Sequence, residues 1–349
     1  MKKVDVGILG ATGMVGQRLI SMLEEHPWFR ATWVGASERS SGKKYGEACS
    51  WQLAEPMPER AADLAVEDCK PGSAPQLIFS SLDSKVAGGV EEEFAKAGHV
   101  VVSNSGNHRM GADVPLVIPE VNPDHLKLIS VQREKRGWKG AIVTNPNCTA
   151  IFLTMSLAPL EETFGLKKVL MTSMQAVSGA GYPGVPTLDI LGNVIPYIGR
   201  EEEKVEAETR KLLGRLTDGH VTPGDWAVSA TCNRVPVENG HTESISVALG
   251  KAAKIEDLQA AWRDYRSVPQ ERELPSAPKR PIIVRTEANR PQPKFDIYAE
   301  GGMATVVGRL RTCSVLEFKY MALGHNTIRG AAGAALLNAE LMRSEGYLD

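Results

Sequence analysis

A cysteine at the start of a predicted helix is the residue best suited to chemistry in this sequence. Cys148 lies in the segment 145–149 (NPNCT), between the apolar run Ala141–Thr144 and a helical pattern. A thiol in the first turn of a helix faces the positive end of the helix dipole, which favours the nucleophilic thiolate over the thiol. A small buried hydrophobic residue is the simpler interpretation of a lone cysteine. The rest of the chain must decide between the two.

A covalent mechanism would also need a proton carrier with a pKa near neutrality, and histidine is the natural group. Of the seven histidines, His241 lies in the segment 239–243 (NGHTE), which is predicted to be a turn leading into a strand at 244–249. A side chain at such a position could project from a sheet edge into a cleft. His108 and His325 lie in comparable polar loops, and spacing does not exclude them.

Several charged residues could hold a small anionic substrate. Arginine suits two-point contact with a carboxylate or a phosphate, and both Arg109 and Arg234 lie in polar segments. Glu201 and Lys204 are three residues apart, which places them on one face of a helix. The run of three glutamates that begins at Glu201 is equally typical of a solvent-exposed first helical turn.

Glycines at positions 10, 13 and 16 (GATGMVG) follow the apolar run Val4–Leu9 and precede a helical pattern at 17–23. A strand, a tight turn and a helix in this order let a pyrophosphate approach the backbone at a helix N-terminus. The next predicted strand ends at 37–44 (SERSSGKK). Its serines and basic residues favour the 2′-phosphate of NADP, whereas Glu38 would suit the ribose hydroxyls of NAD.

The elements that must position these residues can be predicted from the hydrophobic pattern. Strand-like and helical segments alternate up to residue 147, which predicts a doubly wound parallel sheet of the Rossmann type. Its strands are expected at 4–9, 31–36, 77–81, 100–103, 116–118 and 141–144. β-Rich runs after Cys148 predict an α+β domain with a mixed sheet. Those strands are expected at 169–176, 227–232, 244–249, 282–285, 304–312 and 315–323.

The length and composition of the chain restrict its class. At 349 residues it is longer than the chains that usually fold around a single hydrophobic core. We therefore expect two domains, a dinucleotide-binding domain at 1–147 and a catalytic domain at 148–325. A net charge of −2 gives no general attraction to nucleic acid or to a membrane surface, and no apolar run is long enough to span a bilayer.

The five cysteines are odd in number and show no metal-binding spacing. A signal peptide is not recognisable at the start of the sequence. We therefore expect a cytoplasmic protein that acts on small molecules and has no metal site.

Together the motifs resemble the aspartate-β-semialdehyde dehydrogenase family, in its archaeal and fungal branch, over essentially the whole chain. The resemblance is carried by four segments: 10–16 (GATGMVG), 145–149 (NPNCT), 174–181 (MQAVSGAG) and 234–242 (RVPVENGHT). It implies a Rossmann-type NADP-binding domain that the C-terminal helix at 326–349 completes. It also implies that residues 148–325 form the catalytic, substrate-binding and dimerisation domain of a homodimer or homotetramer.

The resemblance also implies roles for the matching residues. Cys148 would be the acyl-thioester nucleophile, His241 the general acid/base, and Gln175 a helper that orients the substrate or the thioester. The substrate would contact Asn147, Arg234 through its carboxylate, Glu201 through its amino group, and Arg109 with Lys204 through its phosphate. Glu202 and Glu203 remain alternatives to Glu201. NADP would contact Gly10, Thr12, Gly13, Met14, Val15, Gly16, Ser37, Arg39, Ser40, Ser81, Leu82, Ser178, Gly179 and Asn326.

The implied reaction is the NADPH-dependent reductive dephosphorylation of L-4-aspartyl phosphate to L-aspartate 4-semialdehyde, and its reverse, through a thioacyl intermediate on Cys148. Such a reaction belongs to lysine, threonine and methionine biosynthesis. A CoA-dependent acyl reductase such as malonyl-CoA reductase would share the cysteine and the histidine, and is the nearest alternative. An NADPH-binding sensor on the same fold is a third interpretation, in which Cys148 has no catalytic role.

Overall fold

A computed structural model describes residues 3–348, and its first half forms a six-stranded parallel sheet. The strands are β1 (Val4–Leu9), β2 (Phe29–Ala36), β3 (Val66–Asp68), β4 (Leu77–Ser80), β5 (Val100–Ser103) and β6 (Ala141–Thr144). Their order in the sheet is β3-β2-β1-β4-β5-β6. The direction of winding reverses between β1 and β4, where the carboxyl ends of the strands leave a crevice that suits a nucleotide.

Helices flank this sheet. They are α1 (Met14–Glu24), α2 (Tyr45–Ala48), α3 (Glu59–Ala62), α4 (Ser84–Ala97) and α5 (Leu128–Arg136), the last preceded by a 3₁₀ turn at Pro123–Lys127. The bounds of α4 follow from its end residues. The side chain of Asp83 accepts a hydrogen bond from the Lys85 N–H at 2.9 Å, and Gly98 ends the helix with a φ of 106°.

The helix α6 (Cys148–Phe164) joins the two halves of the molecule and is buried on all sides from Thr149 to Leu160. It packs against the mixed second sheet and, through the second core, against Trp262. A helix that is buried on every side over this length is typical of the interior of a protein. This burial gives Cys148, its first residue, a fixed position.

The second half of the chain contains eight strands. They are β7 (Leu166–Gln175), β8 (Arg215–Thr217), β9 (His220–Thr222), β10 (Ala227–Arg234), β11 (His241–Leu249), β12 (Ile282–Val284), β13 (Thr305–Thr312) and β14 (Phe318–Gly324). Six of them form a sheet in the order β10-β7-β11-β14-β13-β12, while β8 and β9 form a separate hairpin. Parallel pairs at both ends of the six-stranded sheet enclose antiparallel pairs. The predicted fold class is therefore confirmed.

The remaining helices connect these strands or follow them. They are α7 (Thr187–Ile190), α8 (Glu201–Leu212), α9 (Ile255–Asp264), α10 (Val268–Glu271), α11 (Pro293–Asp296) and α12 (Gly333–Ser344), with 3₁₀ turns at Val177–Ala180 and Ala299–Gly302 and a π-helical turn at Ile328–Ala332. The helix α12 leaves the second sheet and packs into the core of the first. No helix in the described range 3–348 is long and apolar enough to cross a membrane.

Four expectations about individual strands were wrong. The hairpin of β8 and β9 was not predicted. Residues 116–118 form no strand, because Leu116 makes only an isolated bridge to Thr144 and the chain then turns through Pro119, which has no N–H to donate. The strand β3 was missed, since two of its three residues are exposed and no apolar run marks it. His241 does not lie in a turn but is the first residue of β11.

Candidate active site

A cleft of about 570 Å³ runs from the loop after β1 to the start of α6. It brings together residues that the sequence placed in two different domains. The predicted residues that line it are Gly10, Thr12, Gly13, Met14, Val15, Ser37, Ser81, Leu82, Arg109, Asn147, Cys148, Ser178, Gly179 and Asn326. A second cavity of about 470 Å³ shares Ser37 and Leu82 with the cleft and adds Arg39. The two cavities therefore adjoin each other at Ser37 and Leu82.

The glycine loop forms the wall of the cleft nearest to β1. Gly10 has a φ of 73°, and a Cβ there would lie 2.8 Å from the Ser81 carbonyl oxygen. A Cβ on Gly16 would clash with the Gly10 carbonyl oxygen, so Gly16 packs under the loop and does not line the cleft. Gly13 precedes α1 without any side-chain cap. The first backbone N–H groups of α1 are thus available to an anion.

The turn after β2 lines the second cavity. Ser37 and Arg39 face this cavity together with Glu38, the residue that would suit NAD. Ser40 does not line it, and its backbone N–H donates to the Ser37 carbonyl oxygen at 2.8 Å. The turn thus presents one hydroxyl and one guanidinium group directly, and a second hydroxyl lies one residue further along the same turn.

Cys148 lies at the opposite end of the cleft, on an N-terminus of a different kind. The side-chain oxygen of Asn147 accepts hydrogen bonds from the N–H groups of Thr149 (2.8 Å) and Ala150 (3.1 Å). Gly330, in the π-helical turn, packs so closely that a Cβ there would lie 2.9 Å from the Cys148 Cβ. The position of Cys148 is therefore fixed by the Asn147 cap of its helix and by close packing against Gly330.

The Cys148 sulfur lies 3.2 Å from His241 Nε2. The other ring nitrogen of His241, Nδ1, accepts a hydrogen bond from the Ala176 N–H at 3.1 Å. Because Nδ1 acts as an acceptor, a neutral ring carries its hydrogen on Nε2, which faces the sulfur. Gly179 keeps this region compact, since a Cβ there would lie 2.8 Å from Arg234 Nη1 and 3.0 Å from His241 Cε1.

Burial controls the protonation of this pair. It raises the pKa of Cys148 to about 12, with a further rise from Glu201 that Arg109 and Arg234 oppose. Burial, assisted by Arg234, lowers the pKa of His241 to about 3. Burial therefore opposes the preference for the thiolate that we expect from the helix dipole. Loss of hydration dominates, and the next N–H groups of the helix are already bonded to Asn147.

The predicted anion-binding residues surround this pair. Arg234, at the end of β10, donates from Nη1 to the Ala176 carbonyl oxygen at 2.7 Å. Glu201 accepts a hydrogen bond from Asn147 Nδ2 at 2.9 Å and lies 3.9 Å from Lys204 Nζ. Lys204 itself is half-exposed and does not line the cleft.

The other two glutamates of the run have different surroundings. Glu202 accepts a hydrogen bond from the Cys232 N–H on β10 at 2.9 Å, and Glu203 is exposed. Only Glu201 contacts the loop that carries the nucleophile. The geometry therefore favours Glu201 among the three.

Among the described residues, the remaining candidates form hydrogen bonds to other partners and not to the Cys148 sulfur. Gln175 is buried and donates to the Ser173 hydroxyl at 3.2 Å, so it lies behind the site and does not line the cleft. His108 Nε2 lies 3.2 Å from the Gly88 carbonyl oxygen. His325 Nδ1 lies 3.4 Å from the Thr327 hydroxyl. The histidine at the sulfur is His241.

Three residues that form hydrogen bonds with Arg109 were not found from the sequence. Asn104 lines the cleft, and its carbonyl oxygen accepts a hydrogen bond from Arg109 Nη2 at 2.7 Å. Glu208 and Lys211 lie on α8 and contact the Arg109 segment from behind. The one available signal was helical spacing, because Glu208 lies seven residues after Glu201 and therefore on the same face.

The first sheet has the doubly wound fold of dinucleotide-binding domains, and its cleft ends at a cysteine that contacts a histidine by a hydrogen bond. This combination is typical of a nicotinamide-dependent dehydrogenase. Residues 5–129 match the model of the semialdehyde dehydrogenase NAD-binding domain, and residues 157–329 match the semialdehyde dehydrogenase dimerisation domain. The chain belongs to the aspartate-semialdehyde dehydrogenase family, as its motifs predicted.

Individual relatives agree with this assignment. The aspartate-semialdehyde dehydrogenase of Methanothermobacter thermautotrophicus is 51% identical over 97% of this chain and 99% of its own length. The enzyme of Schizosaccharomyces pombe is 45% identical over 98% and 99%. The crystal structure of the Candida albicans enzyme with NADP superposes with a TM-score of 0.91 at 42% identity, covering 99% of each chain. These relatives carry the name of the leading prediction and not that of an acyl-CoA reductase.

Proposed function

We propose that this protein is an NADP-dependent aspartate-semialdehyde dehydrogenase that interconverts L-4-aspartyl phosphate and L-aspartate 4-semialdehyde. One observation carries the proposal: the Cys148 sulfur lies 3.2 Å from His241 Nε2 at the end of the cleft that begins at the glycine loop. The archaeal relative of that name, 51% identical to this chain, supports the substrate. The NADP-bound Candida albicans relative supports the cofactor.

The residues along the cleft fit a dinucleotide. The uncapped start of α1, together with Gly10, Thr12 and Gly13, would hold the pyrophosphate. Ser37, Arg39 and Ser40 would hold the 2′-phosphate, while Ser81 and Leu82 would lie along the cofactor and Ser178, Gly179 and Asn326 near its nicotinamide end. Asn326 is held for this role, since its side chain donates to the Ser178 hydroxyl and accepts from the Gly240 N–H, each at 2.8 Å. When bound, the dinucleotide supplies the hydride.

In the biosynthetic direction, Cys148 would attack the acyl carbon of aspartyl phosphate. The new S–C bond replaces the C–O bond to phosphate, and the thiol proton leaves on the released phosphate, which Arg109 and Lys204 would receive. Arg234 would bind the substrate carboxylate and Glu201 its amino group, with Asn147 and Gln175 orienting the thioester. The Nε2–H of His241 faces the sulfur and so suits stabilisation of the attacking thiolate.

The second half-reaction releases the aldehyde. Hydride addition at the thioester carbon leaves a tetrahedral oxyanion, which collapses as the C–S bond breaks. The departing thiolate would be stabilised by the hydrogen bond from His241 Nε2–H, and solvent would return to it the proton that left on phosphate. The backbone N–H of Cys148 has no acceptor within its own helix, because it belongs to the first turn, and it is the donor that we assign to the oxyanion.

For the domain organisation, we propose that residues 1–147 and the C-terminal segment 326–349, which contains α12, form the NADP-binding domain, and that residues 148–325 form the catalytic domain. The described chain has three hydrophobic cores: two consist mostly of residues from 1–147 and 326–349, and one consists mostly of residues from 148–325, which supports this division. The packing of α12 into the first core supports its assignment to the NADP-binding domain.

We further propose that the protein is a homodimer or a homotetramer. Large apolar side chains are exposed near the second sheet: Leu188 is 91% exposed, Leu191 70% and Tyr197 68%. Exposed apolar side chains that lie together are typical of a protein interface, and the match to a dimerisation domain favours a second copy of the chain as the partner. Leu188→Asp should shift the molar mass measured by light scattering towards that of a monomer, whereas Val315→Asp, at an exposed position outside this segment, should not.

For the compartment, we propose the cytoplasm. All five cysteines are free thiols, which fits a reducing environment. Thiol titration of protein purified under argon should give five thiols per unfolded chain, and a stable disulfide in protein from intact cells would contradict this placement.

A substrate panel tests the proposed activity directly. Reduction of NADP should depend on both aspartate semialdehyde and phosphate, and should not occur with CoA in place of phosphate. Activity with CoA thioesters alone would contradict the proposal and favour an acyl-CoA reductase. Binding of NADPH without turnover of any substrate in the panel would favour the sensor.

A further inference from the structure

Besides Glu201, two charged residues of α8 are buried without lining the cleft. Glu208 is 2% exposed and Lys211 is 4% exposed. Burying a charged group costs free energy unless hydrogen bonds or opposite charges compensate for the lost hydration. Their partners therefore indicate what these residues do.

The Glu208 carboxylate joins two parts of the site. One of its oxygens, Oε1, accepts a hydrogen bond from Arg109 Nη1 at 3.1 Å. The other, Oε2, accepts one from the backbone N–H of Asn147 at 2.6 Å. A single side chain thus links the guanidinium group of Arg109 to the loop that holds Cys148.

The Lys211 ammonium group fixes the backbone of the same arginine. Its Nζ donates to the carbonyl oxygens of Arg109 at 2.7 Å, Gly111 at 2.8 Å and Val114 at 3.0 Å. These three bonds use all three protons of the ammonium group. Arg109 is therefore held at its backbone by Lys211 and at its guanidinium group by Glu208.

The orientation of Arg109 matters because a planar guanidinium group binds an oxyanion well only when its N–H groups point at it. Arg109 lines the cleft together with Cys148. Glu208 occupies Nη1 and the Asn104 carbonyl oxygen occupies Nη2, each through one hydrogen bond. Each of these nitrogens retains a second N–H group, and Nε–H has no partner among the described residues.

We propose that Glu208 and Lys211 are positioning residues, which orient Arg109 relative to Cys148 and thereby set the affinity of the site for phosphate. This inference rests on the proposed function, in which Arg109 binds the phosphate that enters or leaves at Cys148. It adds two residues of α8 that act through Arg109 and do not touch the substrate themselves.

The experiment measures three KM values in the oxidative direction. Glu208→Gln keeps the size of the side chain but removes its charge. We expect the KM for phosphate to rise about tenfold, and the KM values for aspartate semialdehyde and NADP to stay within about twofold. Glu256→Gln removes the same charge from an exposed position of α9 and should change none of the three. An equal rise in all three would indicate general loosening and overturn the proposal.

A double-variant cycle separates this proposal from the role of Arg109 itself. Arg109→Ala should raise the KM for phosphate, and adding Glu208→Gln to it should then change that KM by less than about twofold. A tenfold effect of Glu208→Gln in both backgrounds would overturn the inference while leaving the proposed function intact. An unchanged KM for phosphate in Arg109→Ala would instead overturn the assigned role of Arg109 and, with it, this inference. Should Glu208→Gln fail to fold, Lys211→Gln tests the same coupling.

Discussion

Two helix N-termini face the same cleft, and they are built in opposite ways. At the start of α1, Gly13 provides no side-chain cap, so the first N–H groups are unbonded. At the start of α6, Asn147 caps two N–H groups with its side chain and gives its own N–H to Glu208. The first terminus can receive an anion through several backbone N–H groups, whereas at the second only the Cys148 N–H is left for a ligand.

The difference shows that a helix N-terminus has no single function. At α1 the sequence removes side chains so that a ligand can reach the backbone. At α6 the sequence adds polar side chains to fix one residue, Cys148, and burial raises the pKa of its thiol despite the helix dipole. We therefore expect changes at α1 to alter cofactor binding and changes at α6 to alter chemistry or stability.

The largest expected effect is on chemistry at α6. Cys148→Ser should lower kcat by at least about 10³-fold, because a hydroxyl is a much weaker nucleophile than a thiol and forms no thioester. The dissociation constant for NADP, measured by fluorescence titration, should stay within about twofold. Cys69→Ser, at a half-buried thiol beside the second cavity, is the control and should keep its activity. Substantial turnover by Cys148→Ser would show that α6 does not carry the nucleophile.

The next effect concerns acid stability. The pKa of His241 is lowered to about 3 in the folded protein, against about 6.5 when unfolded. Between these values the unfolded chain binds more protons, so this contribution to stability is complete above pH 6.5 and is lost as the pH falls towards 3. Between pH 6.5 and 5, the free energy of unfolding of the wild type, measured by urea unfolding, should fall by about 2 kcal/mol more than that of His241→Asn. The same change at the exposed His220 should leave the wild-type pH dependence intact.

At α1 we expect a smaller effect, on the cofactor alone. Gly16→Ala places a Cβ against the Gly10 carbonyl oxygen and displaces the loop. The KM for NADP should rise about tenfold, while the rate at which iodoacetamide modifies Cys148 stays unchanged. Gly89→Ala is a matched control, because a Cβ there meets nothing within 4 Å. A change in Cys148 reactivity in Gly16→Ala would show that the two termini are coupled.

The smallest expected effect is on stability, and it distinguishes the capped start of α6 from the uncapped start of α1. Asn147→Ala should lower the stability of the protein by about 1 kcal/mol, because two helical N–H groups lose their acceptor. Asn147→Ser retains a capping oxygen and should lose less. Gly13→Ala has no cap to remove, and its stability in thermal melts should stay within about 0.5 kcal/mol of wild type. Equal losses in Asn147→Ala and Gly13→Ala would contradict the distinction.

Most of the first sheet could be predicted because its signals are local. Buried parallel strands are continuous apolar runs, and β5 and β6 appear at the predicted residues. The glycine loop is likewise a short segment in which spacing alone carries the geometry. Prediction failed for strands that form only by hydrogen bonding to a neighbouring strand and have no apolar run of their own. An example is β3, whose residues Glu67 and Asp68 are exposed.

The site was less predictable because its properties depend on contacts between distant segments. Cys148 and His241 were identified by their motifs, but the direction of the pKa shift of the thiol depends on burial, which no motif reports. Glu208 and Lys211 resemble solvent-exposed residues of an amphipathic helix. Only the packing of α8 against the segment that carries Arg109 shows that both are buried.

The return of α12 to the first core also restricts how the chain can fold during synthesis. Residues of α12 from Gly333 to Met342 are all buried, and Glu340 accepts a hydrogen bond from the Ser276 N–H and lies 2.7 Å from His26 Nε2. The first six strands emerge from the ribosome early, but the core on one face of their sheet is incomplete until α12 has been synthesised. Until then the apolar face of the sheet that α12 covers stays exposed. The nucleotide-binding half should therefore need protection from aggregation while the rest of the chain is translated.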